Sequence, residues 1–191
     1  RGVVIQALLK MIELHESVTN GHSQRLKRLA EKLAREMGLT EEQVEKVILL
    51  AQFREIGRIG LPEPLLTKQE PLTEAERQEI QRHAEIGYRI ALVIPELESI
   101  AELIRTHHEW WNGKGYPRGL KGEEIPLESR IVAIVDAYDA MTNFSVYRAT
   151  REAEQVELEL RRGRGLQFDP VLLDVFLEKM LGEEKQTQEV E

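Results

Sequence analysis

Apolar residues return every three or four positions along most of the chain, and that spacing restricts it to packed helices. Leu26, Leu29, Leu33 and Met37 share one helical face, and Val44, Val47, Ile48 and Ala51 form the stripe of the next segment. No stretch alternates apolar and polar residues as a half-buried strand would, and no internal repeat is visible. The pattern predicts helices over about 3–16, 22–37, 41–57 and 74–93, and one from PELES to His107 or His108. A buried helix through RIVAIVDAYDAMTN follows, then REAEQVELELRR and a short helix from Pro170 to Leu181. Gly38 closes one helix, and Thr40 with Gln43 and Thr73 with Glu76 are capping-box pairs that open others. Only Asn112–Ser129, with four glycines and two prolines, forbids a long helix. The expected fold is all-α.

With 191 residues and 41% hydrophobic content, the chain has material for one full core, so a single domain over 1–182 is expected, with a polar tail over 183–191. Cysteine is absent, so any metal must be held by histidine and carboxylate, and a reducing, cytoplasmic setting fits. No apolar run approaches the roughly 18–20 residues of a membrane span, and no signal peptide is visible. The first residues, RGVVIQALLK, lack an initiator Met, and upstream modules are expected to be missing. A net charge of −8, from 34 acidic and 26 basic residues, disfavours a general nucleic-acid coat and argues against DNA as a partner.

Chemistry gathers on the inward faces. His22 is in phase with Leu26, Leu29 and Leu33; His83 with Ile80, Gly87, Ile90 and Ile94; His107 and His108 end the helix of Leu103 and Ile104. Asp136 interrupts the apolar run IVAIVDAY, where a carboxylate costs several kcal/mol unless it is paired or bound to a metal. Any one of these residues has a simpler reading, a hydrogen-bonded core histidine or a capping aspartate. Together, four histidines and an aspartate pointing into one interior form a donor set suited to Zn, Fe or Mn. A further oddity is AQFREIGRIGLPEPLL, where the apolar phase of the third helix runs on to Arg54 and Glu55.

The run HHEWWNGKGYPRGLKGEEIPLESRIVAIVDAYDAM strongly resembles the signature of HD-GYP domains, all-helical members of the HD phosphohydrolase superfamily that hydrolyse cyclic di-GMP in bacterial signal transduction. TNGHSQRLKRLAEKLAREMGL, RHAEIGYRI and LQFDPVLLDVFL resemble other segments of that family, so the likeness covers nearly the whole chain. It implies an HD-domain-like bundle of about seven or eight helices with a Gly/Pro-rich loop. It also implies metal ligands at His22, His83, His107, His108 and Asp136, and a ligand or partner loop at Asn112, Lys114, Gly115, Tyr116, Pro117 and Arg118. Implied partners are cyclic di-GMP or a related nucleotide, a diguanylate cyclase (GGDEF) or other signalling protein through the loop, and a second copy in a homodimer.

The departures fall on the dyad that names the superfamily. FREIGRIG matches a segment that normally reads His-Asp-x-Gly-Lys-x-Gly, so Arg54 stands at a metal-binding His, Glu55 at the bridging Asp and Arg58 at the Lys. Asn112, Ser145 and Val146 depart from the usual residues as well. Arginine has no lone pair to give and brings a positive charge to the place of a cation. Arg54 is therefore expected to replace one metal electrostatically by pairing with Asp136, and with Glu55 as a further partner. Glu55, His83, His107 and His108 would remain for at most one metal ion, or for none. Arg54 and Arg58 would clamp a phosphate without activating water. Three readings follow: a degenerate domain that binds cyclic di-GMP or a protein and hydrolyses weakly or not at all; a working phosphodiesterase that uses Glu55 and one metal; and an interaction module contacting partners through Trp110, Trp111 and the Tyr116 loop.

Overall fold

The structure, a computed structural model, describes residues 2–16, 20–143 and 153–181. Its α-helices are α1 (Gly2–Glu16), α2 (Asn20–Glu36), α3 (Glu41–Phe53), α4 (Glu63–Leu66), α5 (Glu74–Gln81), α6 (His83–Leu92), α7 (Ala101–Thr106), α8 (Leu127–Asn143), α9 (Ala153–Arg162) and α10 (Pro170–Val175). Among the described residues there is no strand, only the single bridges Asn112–Lys121 and Arg164–Phe168. No described helix is long and apolar enough to cross a membrane. Ser145, Val146 and the 183–191 tail lie outside the described residues.

The core forms where α2, α3 and α8 meet. Leu26, Ala30 and Leu33 of α2, Val44, Val47 and Leu50 of α3, and Ile131, Val132, Ile134 and Val135 of α8 are buried in one cluster. Each fully buried large aliphatic side chain contributes about 1.5–3 kcal/mol of transfer free energy. Both capping boxes are present: Gln43 N–H donates to Thr40 and Glu76 N–H to Thr73, with the return bonds from the N-cap backbones. Gly38, at φ 71°, ends the α2 segment in the left-handed region.

Several helices differ from the sequence expectation, and two of the differences, at Phe53 and at Arg82, shape the site. The third helix stops at Phe53 rather than near 57, and Ile56–Gly60 form a 3₁₀ turn. Arg54 and Glu55 therefore sit at a helix exit rather than in the apolar face of a continuous helix. The cause is tertiary. A Cβ on Gly57 would lie 1.8 Å from the His83 carbonyl oxygen and 2.6 Å from Gly87 N, so this turn is pressed onto α6 at a distance only glycine allows. Gly57→Ala is accordingly expected to lower stability by several kcal/mol, read as a fall in the thermal midpoint. The expected 74–93 helix is interrupted at Arg82, and α7 is preceded by a 3₁₀ turn at Glu98–Ile100. Within the Asn112–Ser129 stretch there is one 3₁₀ turn, Gly122–Glu124, and α8 already begins at Leu127. The last helix becomes a π-helix over Phe176–Leu181.

Candidate metal centre

Four donors converge between α3, α6 and α7. Oε1 of Glu55 lies 3.7 Å from Nε2 of His83, 3.6 Å from Nε2 of His107 and 3.7 Å from Nε2 of His108. Each element delivers its ligand by a local device. The break at Arg82 starts α6 with His83, whose Nδ1–H donates to the Ile80 carbonyl at 2.7 Å. His107 caps α7, and its Nδ1–H donates to the Ile104 carbonyl at 2.5 Å. A carbonyl can only accept, so the proton is assigned to Nδ1 in both rings and Nε2 keeps its lone pair.

That assignment makes the centre electrostatically incomplete on its own. His83 Nε2 and His107 Nε2 are buried with no hydrogen-bond partner. Each orphaned buried polar atom costs about 1–3 kcal/mol. Both face a carboxylate oxygen that has no proton to offer. A cation satisfies all four donors at once, and imidazole with carboxylate suits a first-row divalent ion. Donors about 2.0–2.2 Å from one tetrahedral ion stand roughly 3.3–3.6 Å apart, close to the three Glu55–histidine separations, and all four donor atoms lie within 4.8 Å of one another. The residues present therefore fit a metal ion, and Glu55, His83, His107 and His108 would hold it.

Protons and a cation compete for this centre. Burial disfavours charge on Glu55, but hydrogen bonds from His107 and His108 in their doubly protonated form, with the charges of His83 and Arg54, hold its carboxyl well below the usual range, and an ion would take the place of those protons. Burial pushes the His83 imidazole down, and burial with the neighbouring His107 does the same to His108. At neutral pH the carboxylate is charged and both imidazoles keep lone pairs, the states a cation needs.

Beside this centre, Asp136 is paired with Arg54. Arg54 Nε donates to Asp136 Oδ1 at 3.0 Å, and its Nη2 lies 2.9 Å from the same oxygen. Its Nη1 donates to the Ala51 carbonyl at 2.6 Å. The pairing expected from the sequence is thus present. Asp136 is not deeply buried, however: its side chain is 27% exposed and that of Arg54 18%. Glu55 takes no hydrogen bond from Arg54; its Oε2 accepts instead from Arg58 Nη1 at 3.3 Å. The His22 backbone lies in α2, and its side chain lies outside what is described.

The Gly/Pro-rich loop covers the histidines. The Tyr116 ring stacks on His108 with centroids 4.9 Å apart and 20° between planes. Burial, with the charges of Glu55 and Asp136, pushes the Tyr116 hydroxyl pKa far up, so the phenol stays protonated. Gly115 is obligatory because a Cβ there would come within 2.2 Å of Trp110 N. Asn112 Oδ1 accepts from Lys114 N, while Pro117 and Arg118 are exposed, the latter paired with Glu102. Sequence reasoning overlooked Glu109. It is 3% exposed, and its two carboxylate oxygens accept from Arg118 N at 2.7 Å and Leu120 N at 3.0 Å. The available signal was an acidic residue wedged between a histidine pair and two tryptophans. Asp139, buried and 3.8 Å from Arg25, was likewise missed.

Comparison with known proteins follows the same lines. The HD domain family model matches residues 6–172. A cyclic di-GMP phosphodiesterase of Thermotoga maritima is 36% identical over 176 residues, covering 91% of this chain and 48% of that protein. The cyclic di-GMP phosphodiesterase response regulator RpfG of Xanthomonas campestris is 34% identical over 175 residues, 91% of this chain and 46% of its own length. The chain thus spans less than half the length of these curated relatives. A cyclic GMP-AMP specific phosphodiesterase of V. cholerae superposes with a TM-score of 0.73 at 20% identity, over 94% of this chain and 48% of that one. The HD domain of the L. monocytogenes phosphodiesterase PgpH, in complex with cyclic-di-AMP, gives 0.56 at 20% identity, over 92% and 86%. At that identity the likeness shows a shared all-helical fold.

Proposed function

The chain belongs to the HD domain family, and from that membership we propose that it is an HD-GYP-type module of bacterial cyclic di-GMP signalling that binds the dinucleotide at a one-metal centre and hydrolyses it weakly or not at all. The observation that carries this reading is Arg54 seated on Asp136. A guanidinium there is permanently charged and donates no lone pair, so it fills the electrostatic role of a cation without any coordination chemistry.

Each residue has a separable task. Glu55, His83, His107 and His108 would hold one ion, Zn, Fe or Mn by donor type. When bound, such an ion supplies Lewis acidity toward a phosphoryl oxygen. Arg58, whose bond to Glu55 is long at 3.3 Å and whose side chain is 36% exposed, presents a guanidinium that matches a phosphodiester bidentately. Tyr116 and the loop over Asn112–Arg118 shape the ligand pocket, and the same loop is the surface proposed for a GGDEF or other signalling protein. Arg54 donates to Asp136 and to the Ala51 carbonyl, and a guanidinium has no lone pair with which to take a proton from water. Two-metal hydrolysis shares the attacking and leaving oxygens between ions; here half of that arrangement is an ion pair.

The four converged donors also favour a second reading, an active phosphodiesterase running on Glu55 and the three histidines. Calorimetric titration of the manganese-loaded chain with cyclic di-GMP, with a hydrolysis assay on the same sample, separates them. Saturable binding with turnover far below one per minute supports the proposed function; rapid turnover supports the second reading; neither binding nor turnover overturns both.

A further inference from the structure

The three imidazoles of the centre are not oriented alike. His83 and His107 are each fixed through Nδ1 by a carbonyl three residues back. His108 has no such carbonyl among the described residues. What bounds its ring instead is Tyr116, stacked at 4.9 Å and 20°, with the ligand rings of His107 at 4.0 Å and His83 at 4.9 Å on its other sides. Tyr116 in turn belongs to a loop tied back to the segment just after the histidines. Tyr116 N donates to the His108 carbonyl at 3.2 Å, and Gly115 lies against the backbone of 108–110. The buried Glu109 carboxylate brackets the far side of the loop through the N–H groups of residues 118 and 120.

We propose that Glu109 is a positioning residue for His108, acting through the loop so that the Tyr116 ring does for this imidazole what a carbonyl does for the other two. The proposal rests on the metal-binding reading of the centre. A carboxylate buried at 3% exposure, with both oxygens spent on loop N–H groups, is a large commitment for a surface turn. Its place in the chain, directly after His108, makes the ligand and the anchor of its support one unit. Groups that orient a metal-binding histidine are worth about 10–100-fold in metal affinity.

The test uses Glu109→Ala, Glu109→Gln, Tyr116→Ala, Tyr116→Phe and the double alanine variant in the full chain, with two readouts. The first is zinc affinity by competition with a chelator. Glu109→Ala and Tyr116→Ala are each expected to lose about 10–100-fold. Glu109→Gln, which keeps one acceptor oxygen, should lose less, as should Tyr116→Phe, which keeps the ring. The double variant should be no worse than the weaker single, because both act through one ring. The second readout, in metal-free protein, is the upfield ring-current shift of the His108 ring protons, expected to disappear in Tyr116→Ala and to shrink in Glu109→Ala. A Glu109→Ala protein with a lower thermal midpoint but unchanged zinc affinity and an unchanged His108 resonance would overturn the proposal. So would a Tyr116→Ala protein with parental affinity, which decides the matter even where Glu109→Ala fails to fold. If the parental chain takes up no zinc, the metal reading fails, and the metal-free resonance still decides whether Glu109 orients His108.

Discussion

Arg54→His combined with Glu55→Asp is expected to raise cyclic di-GMP hydrolysis by about a hundredfold or more over the parental chain. The arginine holds its place through Asp136 and the Ala51 carbonyl. Substituting histidine removes a fixed positive charge, supplies a lone pair and releases Asp136 to coordinate. The aspartate shortens the acceptor at position 55 by one methylene, opening room for two ions to share it. A second ion stabilises transition-state charge by several kcal/mol, and each 1.36 kcal/mol is tenfold in rate, so a hundredfold needs only about 2.7 kcal/mol. Arg54→His alone is expected to give part of the gain, because the longer Glu55 stays directed at the three imidazoles. The measurement is initial rate with manganese in excess. No gain in the double variant would place the loss elsewhere in the pocket, with Arg58 and Asn112 the next positions to restore.

Glu55→Gln is expected to abolish metal-dependent stabilisation while leaving the metal-free fold intact or firmer. The glutamate oxygen faces three nitrogens at 3.6–3.7 Å, two of them buried lone pairs with no proton donor. An amide removes the negative charge that recruits a cation and supplies N–H groups that the orphaned nitrogens lack. At an ion concentration about 100 times Kd the parental chain gains about 2.7 kcal/mol, a rise in Tm of roughly 5–10 °C for a domain this size. The variant should show no rise on adding zinc or manganese, with a metal-free Tm at or above the parental one. A parental-sized shift in Glu55→Gln would mean that the ion binds elsewhere.

These contrasts show which parts of the protein its sequence made readable. The helices of the core were legible because their burial is periodic: Leu26 and Leu33, or Val44 and Val47, declare a face without reference to any other element. The capping boxes at Thr40 and Thr73 are equally local. The end of α3 was not legible, because it is imposed by the contact of Gly57 with α6, remote in sequence. The break at Arg82 was not legible either: the His83 carbonyl there lies against Gly57, remote in sequence. At the site, the convergence of Glu55 with three histidines and the pairing of Arg54 with Asp136 were both anticipated from residue chemistry and family resemblance. The depth of Asp136 was overstated, since an apolar neighbourhood in sequence does not say which side of a helix opens to solvent. Glu109 escaped notice because its partners are backbone N–H groups nine and eleven residues away, which no side-chain pattern records.

The most direct measurement is the number of metal ions each chain retains. Elemental analysis of protein loaded with manganese, iron or zinc and freed of excess ion is expected to give one ion per chain. That ion should be lost in His107→Ala and kept in Asp136→Asn, whose side chain pairs with the arginine. Two ions per chain, one of them removed by Asp136→Asn, would mean that Arg54 leaves its carboxylate for a cation and that the second site is alive.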